Sequence, residues 1–71
     1  MGTQPYRKGV EIMVTTFKND AWTVFNKTAF GYVVQLYSPA GDLRDKIVSD
    51  DYRNARRYHR SFNKIAKQWR A

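Results

Sequence analysis

The residues of this chain that are most suited to binding chemistry are basic, and they concentrate near its carboxyl end. Residues 49–71 hold seven Lys and Arg against two acidic residues, a net charge of +5, whereas residues 1–48 hold six against four, a net charge of +2. Five of the seven are Arg, whose planar guanidinium suits phosphate oxygens. This distribution favours a face that binds a polyanion, most naturally a nucleic acid. The seven cations are Arg53, Arg56, Arg57, Arg60, Lys64, Lys67 and Arg70.

Apolar residues spaced three and four apart predict that a single helix positions these cations. Ser49 or Asp50 is expected to cap its start, and Asp50 and Asp51 complement the positive end of the helix dipole. With Ala55 and Phe62 at the centre of the apolar stripe, all seven cations fall on the exposed side. Exposed helix faces normally mix both signs, so this face indicates binding; the alternative is a solvated surface that keeps a small protein soluble. The stripe comprises Tyr52, Ala55, Tyr58, His59, Phe62, Ile65, Ala66 and Trp69.

Four segments with β-branched and alternating residues precede the helix and predict strands. The strands are expected at residues 10–17, 21–26, 32–37 and 43–48, with turns at 18–20, 26–31 and 38–42. Gly31 and Gly41 are free to take a positive φ in two of these turns. The order β-β-β-β-α predicts an α+β domain, a small antiparallel sheet of three to four strands with one C-terminal amphipathic helix packed on one face. This single domain is expected to span residues 10–71, after a flexible arm at residues 1–9.

The sheet offers a second candidate surface on the side away from the helix. We expect the helix side to carry Tyr32, Val34, Leu36, Leu43 and Ile47. The opposite side then carries Gln35, Tyr37, Arg44 and Lys46, joined by Thr23, Phe25, Val33 and Val48. Its polar members are residue types that contact phosphates and base edges, although a half-polar outer face is also ordinary for an antiparallel sheet. Its apolar members suggest that the first strand or a second subunit covers part of it. Asp45 falls among the apolar positions, which predicts an edge strand or a bulge.

The segment from Gly31 to Val48, followed by the acid-started basic helix, resembles a DNA-binding domain in which a three-stranded sheet packs on a C-terminal helix. The arm-binding domains of tyrosine recombinases and the plant AP2-type domains have this form. The resemblance covers about residues 21–70 and implies that the sheet, not the helix, enters the major groove. The readers that it implies are Gln35, Tyr37, Arg44 and Lys46. This chain departs from the pattern, because its arm has only Arg7 and Lys8 and its helix is more basic than its sheet.

A catalytic or metal site is hard to assemble from these residues. There is no Cys, and His59 is the single His, so neither a thiol nucleophile nor a paired His ligand set is available. His59 is expected to be a boundary residue that packs its ring against the sheet, with a pH-sensitive contact as the alternative. Turn and capping roles account for the acidic residues between positions 42 and 51. We therefore predict a non-catalytic protein with no cofactor and no metal.

Two other ligands fit parts of the sequence. Aromatic residues could stack the bases of a single strand, although a domain this small needs most of its rings for its core. The candidate rings are Trp22, Phe25, Phe30, Tyr32 and Tyr37. A membrane-surface helix would fit the basic face, but the sheet needs the apolar stripe of that helix. The longest uninterrupted apolar run is three residues, too short for a membrane span, and no membrane partner is expected.

Taken together, the charge and the elements predict a small basic nucleic-acid-binding protein, with DNA ranked ahead of RNA. It is expected to be a cytoplasmic accessory or regulatory protein of a phage or mobile element. The alternative is a protein-interaction module, either a homodimer that pairs through the edge strand at residues 10–17 or a subunit that docks on an acidic protein partner. A chain of 71 residues without a disulfide has a thin core, which favours self-association.

Overall fold

A four-stranded antiparallel sheet with one helix across it forms a small α+β domain, as predicted. The computed structural model describes residues 11–69, and the predicted arm at residues 1–9 lies outside them. The strands follow one another in the sheet in the order β1-β2-β3-β4, and the helix packs mainly on β3, with β2 and β4 on either side. The elements are β1 (Glu11–Thr16), β2 (Trp22–Thr28), β3 (Gly31–Tyr37), β4 (Leu43–Ser49) and α1 (Tyr52–Lys67).

Tight turns produce the antiparallel order. Between β1 and β2, Asp20 takes a φ of 74° and its N–H donates to the Phe17 carbonyl at 2.9 Å. Gly31 and Gly41 have φ values of +136° and +96°, which confirms the positive φ predicted for both. At Gly31 a Cβ would lie 2.7 Å from the carbonyl oxygen of Ser49, so both the backbone angle and the available space require glycine.

Asn19, in the first turn, ties that turn to the end of the helix. Its Nδ2 donates to the carbonyl oxygens of Ala66 at 2.8 Å and Trp69 at 3.0 Å, and its Oδ1 accepts from the Ala21 N–H at 2.9 Å. These bonds satisfy carbonyls that the end of a helix leaves unpaired. They also join positions 47 and 50 residues apart, so the first turn fixes where the helix ends over the sheet.

The hydrophobic core lies between the helix and the sheet. Its buried members are Ala21, Phe25, Val34, Leu36, Ala55, Phe62 and Ala66. On the helix, only Ala55, His59, Phe62 and Ala66 are buried, whereas Tyr52, Tyr58 and Ile65 are 40–53% exposed. The buried stripe is therefore narrower than predicted, because the sheet covers only the part of the helix that faces it and leaves the margins of the apolar stripe exposed.

The N-cap of the helix lies one residue after Asp50 and two after Ser49, the two predicted caps. Asp51 is the N-cap, and its carboxylate accepts from the Arg53 N–H at 3.1 Å. Ser49 has a supporting role, because its hydroxyl accepts from the Asp51 N–H at 3.1 Å and from Asn54 Nδ2 at 3.2 Å. The prediction of Ser49 or Asp50 as the cap was wrong, since β4 continues through Ser49 and leaves Asp51 as the last extended residue.

Two residues of β2 lie on the other face from the one predicted. Thr23 and Phe25 pair with Leu36 and Val34 and therefore share the helix side with them. Thr23 is fully buried and donates its hydroxyl to Asn63 Oδ1, and Phe25 is 8% exposed. The alternation within β2 was predicted correctly. Which residues of β2 share a face with those of β3 depends on the register of the hairpin that joins the two strands. The sequence pattern alone did not determine that register.

A register shift in β4 changes the faces of Leu43 and of Arg44, whose contact is described below. The shift lies between Leu36 and Tyr37 of β3, so that Leu36 pairs with Asp45 while Tyr37 pairs with Leu43. Leu43 thereby lies on the outer side and is 49% exposed, which corrects its predicted place facing the helix. β4 is thus both an edge strand and irregular, the two alternatives that the position of Asp45 had left open.

Candidate nucleic-acid interface

The described cations of α1 form one surface, which we call the basic helix surface. The helix contains no acidic residue from Tyr52 to Lys67, and the two acidic residues next to it, Asp50 and Asp51, precede its first turn. Five of its cations are exposed and Arg56 is half-buried. Arg70, also predicted for this surface, lies outside the described residues. The basic helix surface consists of Arg53, Arg56, Arg57, Arg60, Lys64 and Lys67.

Four of these arginines surround one open depression in the surface. Its volume is about 570 Å³, and its lining is Tyr52, Arg53, Arg56, Arg57 and Arg60. A cluster of guanidinium groups around one depression gives several phosphate oxygens charged donors at once. The sequence periodicity placed these residues on the exposed side of the helix, and the structure brings them together.

Arg56 is the cation whose position is most constrained. Its Nη1 lies 3.2 Å from Nδ1 of His59, and its guanidinium carbon lies 6.0 Å from the centroid of the Phe25 ring. Because arginine can only donate, Nδ1 of His59 is the acceptor and the imidazole is neutral. Two neighbours therefore hold Arg56 in place before any ligand arrives, which lowers the entropy cost of binding through it.

His59 positions Arg56 from inside the core. Its ring centroid lies 5.1 Å from that of Phe25, which confirms packing against the sheet, but at 2% exposed it is a core residue and not the predicted boundary residue. Burial, and then the charge of Arg56, lower the pKa of His59 below its usual value. Its Nε2 is enclosed and has no hydrogen-bond partner in the described structure. The i, i+3 spacing of Arg56 and His59 is the sequence signal for this pair, which the charge pattern alone did not reveal.

The two flanks of the helix differ in charge. Asn63 bonds to Thr23 of β2, whereas Asn54 bonds to Ser49 of β4, so the flank that carries Arg56 and Asn63 faces β2. Residues three and four apart share a face, which places Arg60 and Lys67 on this flank as well. Beside it lies β1, which the helix does not cover. The opposite flank faces β4, and the acidic residues Asp42 and Asp45 lie in the hairpin before that strand and in the strand itself.

The side of the sheet away from the helix is mostly uncharged, and we call it the outer sheet face. Of the predicted readers, Gln35 and Lys46 pair with each other on this face. The ring of Tyr37 stacks on Trp22, with centroids 4.7 Å apart and planes 11° apart. Among residues 11–69, Lys46 is the one charged side chain that the strand pairing places here. The face comprises Ile12, Val14, Thr16, Trp22, Val24, Asn26, Val33, Gln35, Tyr37, Leu43, Lys46 and Val48.

Arg44 does not join the other predicted readers. Its guanidinium carbon lies 5.6 Å from the centroid of the Trp69 ring, and Trp69, which follows the end of the helix, packs against the core. The register shift in β4 removes Arg44 from the strict alternation and allows this contact. The prediction of Arg44 as an outer-face residue is therefore corrected.

The aromatic residues do not form a single platform for stacking bases. Phe25 is buried beneath the helix, and Tyr32 packs against it with ring centroids 5.7 Å apart. Trp22 and Tyr37 lie on the outer sheet face, and Phe30 is 94% exposed at the tip of the β2–β3 hairpin. The candidate rings are divided between two faces and a turn, so they cannot stack successive bases of one strand.

Comparisons of this chain with protein-family models, curated proteins and solved structures found no match. The resemblance to arm-binding and AP2-type domains therefore stays a prediction. Within residues 11–69, no group of three or more potential metal ligands comes together. In the same part of the chain, no helix has the length and hydropathy that crossing a membrane requires.

Proposed function

We propose that this protein is a non-catalytic nucleic-acid-binding protein that contacts duplex DNA through the basic helix surface. The observation that carries the proposal is the helix itself, which presents six cations and no acidic residue, with four arginines around one depression. Surfaces of one sign attract polyanions and raise the rate of encounter with them. An accessory or regulatory role in the cytoplasm fits a small binding protein of this kind.

The dimensions of the helix fit the major groove of DNA. Its 16 residues are about 24 Å long at about 1.5 Å per residue, and its diameter with side chains matches a groove about 12 Å wide. The major groove of A-form RNA is deep and narrow and does not admit such a helix. These dimensions support DNA ahead of RNA as the ligand.

The outer sheet face is the less suitable of the two surfaces. It carries Lys46 as its one charged side chain among the described residues, and Arg44 is engaged with Trp69. Binding to phosphates needs several cations to replace the counterions of the duplex. We therefore favour contact through the helix over the sheet-in-groove mode that the resemblance implies.

Contacts to the phosphate backbone dominate this mode of binding. Few neutral polar side chains accompany the cations, since Asn63 is bonded to Thr23, and the exposed ones on this element are Ser61, Gln68 and the hydroxyls of Tyr52 and Tyr58. Phosphate contacts position a protein on DNA without reading its sequence. The proposal therefore includes weak sequence specificity.

Fluorescence anisotropy with labelled duplex DNA, single-stranded DNA and RNA, titrated at several salt concentrations, tests the proposal. Duplex DNA is expected to bind most tightly. The logarithm of its association constant should fall with the logarithm of salt concentration at about −0.9 per phosphate contacted, or roughly −4 to −5 for five contacts. Absence of duplex binding at low salt, or binding that salt does not weaken, would contradict the proposal.

Reversing the charge of residues on the helix tests whether the basic helix surface is the one that contacts the duplex. The double variant Arg57→Glu with Arg60→Glu changes two exposed cations and leaves the supported Arg56 intact. It is expected to weaken duplex binding by at least about 100-fold, because two phosphate contacts become repulsions. The matched control, Arg44→Glu with Lys46→Glu, makes the same change in net charge on β4, outside the basic helix surface, and should weaken binding far less. Equal losses in the two variants would show that net charge, not the helix, drives binding.

A further inference from the structure

The outer sheet face is a mostly apolar surface that no other element covers in the described structure. Val48 is 67% exposed, Leu43 is 49% exposed and Ile12 is 41% exposed, while most of the side chains between them are half-buried. The helix packs on the opposite side of the sheet. Contiguous exposed apolar surface on a small soluble domain marks an interaction site.

The charge of this face limits what can bind to it. An acidic partner or a nucleic acid would need several cations, and strand pairing places only Lys46 here among residues 11–69. Its partner should therefore be uncharged, apolar and flat, which are the properties of another sheet face. The outer sheet face of a second copy meets these requirements.

The overall charge of the chain favours the same arrangement. With a net charge of +7, two copies repel each other most strongly where the basic helix surfaces would meet. Stacking the outer sheet faces keeps the two helices on opposite outer sides and brings together faces on which Lys46 is the one charged side chain among residues 11–69. The contact that buries the most apolar surface is then also the one with the least electrostatic repulsion.

The size of the face suffices for a stable contact. Strands of six or seven residues at about 3.3 Å per residue, in a sheet of four strands about 4.8 Å apart, give roughly 450 Å² of flat area per copy. Two such faces, with their side-chain relief, reach the roughly 1,000 Å² that a specific interface needs.

We propose that a second copy of this chain stacks its outer sheet face on this one, forming a two-fold symmetric dimer of two packed sheets. Val24 and Gln35 lie at the centre of the contact with Trp22 and Val33 on either side of them, and Val48 lies at its margin on the edge strand. Pairing of two β1 edges is the competing arrangement, since the described side chains of β1 from Ile12 to Thr16 carry no charge. Edge pairing would leave the apolar face uncovered, so the stacked arrangement is favoured.

The mass of the full chain in solution, measured by sedimentation equilibrium from micromolar to sub-millimolar concentration, tests the dimer. The native chain is expected to reach twice its 8.4 kDa mass. Val48→Lys adds a charge to the outer sheet face at an exposed position and should weaken dimerisation by at least tenfold. Met13→Lys adds the same charge on the helix side of β1, at a position 40% exposed, and should leave the dimer intact. A monomer at every concentration, or a folded Val48→Lys variant that dimerises like the native chain, would overturn the proposal.

Distances between spin labels distinguish stacking from edge pairing and do not depend on Val48→Lys folding. The chain has no Cys, so Lys46→Cys and Lys67→Cys each give a single labelling site. Sheets stack about 10 Å apart, which places two labels at position 46 within about 20 Å of each other and two labels at position 67 much farther apart. Edge pairing through β1 would instead separate the labels at position 46 by seven strand spacings, or about 34 Å. The short distance at position 46 supports the proposal, and the long distance or no dipolar coupling overturns it.

Discussion

The two faces of this sheet contain similar apolar residues and have different surroundings. On the helix side, Val34 and Leu36 are 0% and 3% exposed, whereas on the outer sheet face Val48 and Leu43 are 67% and 49% exposed. Side-chain type does not produce this difference, because valine and leucine occur on both faces. It arises from architecture, since one helix covers one side of a four-stranded sheet and the described structure provides no second layer.

This difference between the two sides of the sheet assigns the two proposed roles, nucleic-acid binding and dimerisation, to separate surfaces. The charged surface is on the helix, which turns its apolar stripe to the sheet and its cations to solvent. The neutral surface is on the far side of the sheet. Under both proposals, the dimer presents its two basic helix surfaces on opposite outer sides, about 30 Å apart across four stacked layers. A dimer of this form would contact two segments of nucleic acid, not one.

The largest expected effect comes from neighbouring residues of β2 that lie on opposite faces. Phe25→Ala removes a ring packed among Tyr32, Tyr52 and His59, and it should lower the free energy of unfolding by about 3–5 kcal/mol. Val24→Ala, on the outer sheet face, should cost less than about 1.5 kcal/mol in the monomer. Urea unfolding followed by circular dichroism at low protein concentration measures both. Equal losses would show that the outer sheet face is covered within a single chain.

The elements of this fold were predictable because their signals are local. The strands, the glycine turns and the helix follow from residues close together in the chain, and all were predicted within a few residues of their observed bounds. How the strands pair with one another, and which face each residue then occupies, was harder to predict from the sequence. The faces of Thr23, Phe25 and Leu43 depend on hairpin register and on the shift in β4, which alternation within one strand does not determine.

The same limit applies to the candidate site. The spacing of the cations placed them correctly on the exposed side of the helix. The support of Arg56 by His59 and Phe25, and the contact of Arg44 with Trp69, are tertiary contacts between side chains. Periodicity gives the direction of a side chain and does not give its partner on another element.

A smaller effect is expected at the hydrogen bond that joins the sheet to the helix. Thr23→Val keeps the shape of a fully buried side chain but leaves Asn63 Oδ1 without its donor. The cost should be about 1–3 kcal/mol in the free energy of unfolding, because a partly buried polar atom loses its partner. Thr16→Val makes the same change at an exposed position on the outer sheet face and should stay within about 0.5 kcal/mol. A comparable loss at Thr16 would contradict the difference between the faces.

The start of the covering helix provides a further test. Asp51→Ala removes the carboxylate that accepts from the Arg53 N–H and should lower the free energy of unfolding by about 1 kcal/mol. Asp50→Ala removes an exposed carboxylate one residue earlier and should change it by less than about 0.5 kcal/mol. Thermal unfolding of the two variants distinguishes them. A larger loss of stability for Asp50→Ala would show that Asp50, not Asp51, is the N-cap of the helix.

The smallest effect is expected from protonation of His59 on the covered side. Burial, and then the charge of Arg56, lower its pKa below the usual value of 6.5, so between pH 7 and pH 6 the unfolded chain binds more protons than the folded chain. The free energy of unfolding should therefore fall as the pH is lowered, by less than about 0.7 kcal/mol over this interval, because the unfolded pKa limits the loss. Urea midpoints at the two pH values measure the change. His59→Gln should show almost no change, since His59 is the single His of the chain. An equal decrease in the native chain and in His59→Gln would mean that another group is responsible and that His59 is not held neutral beneath the helix.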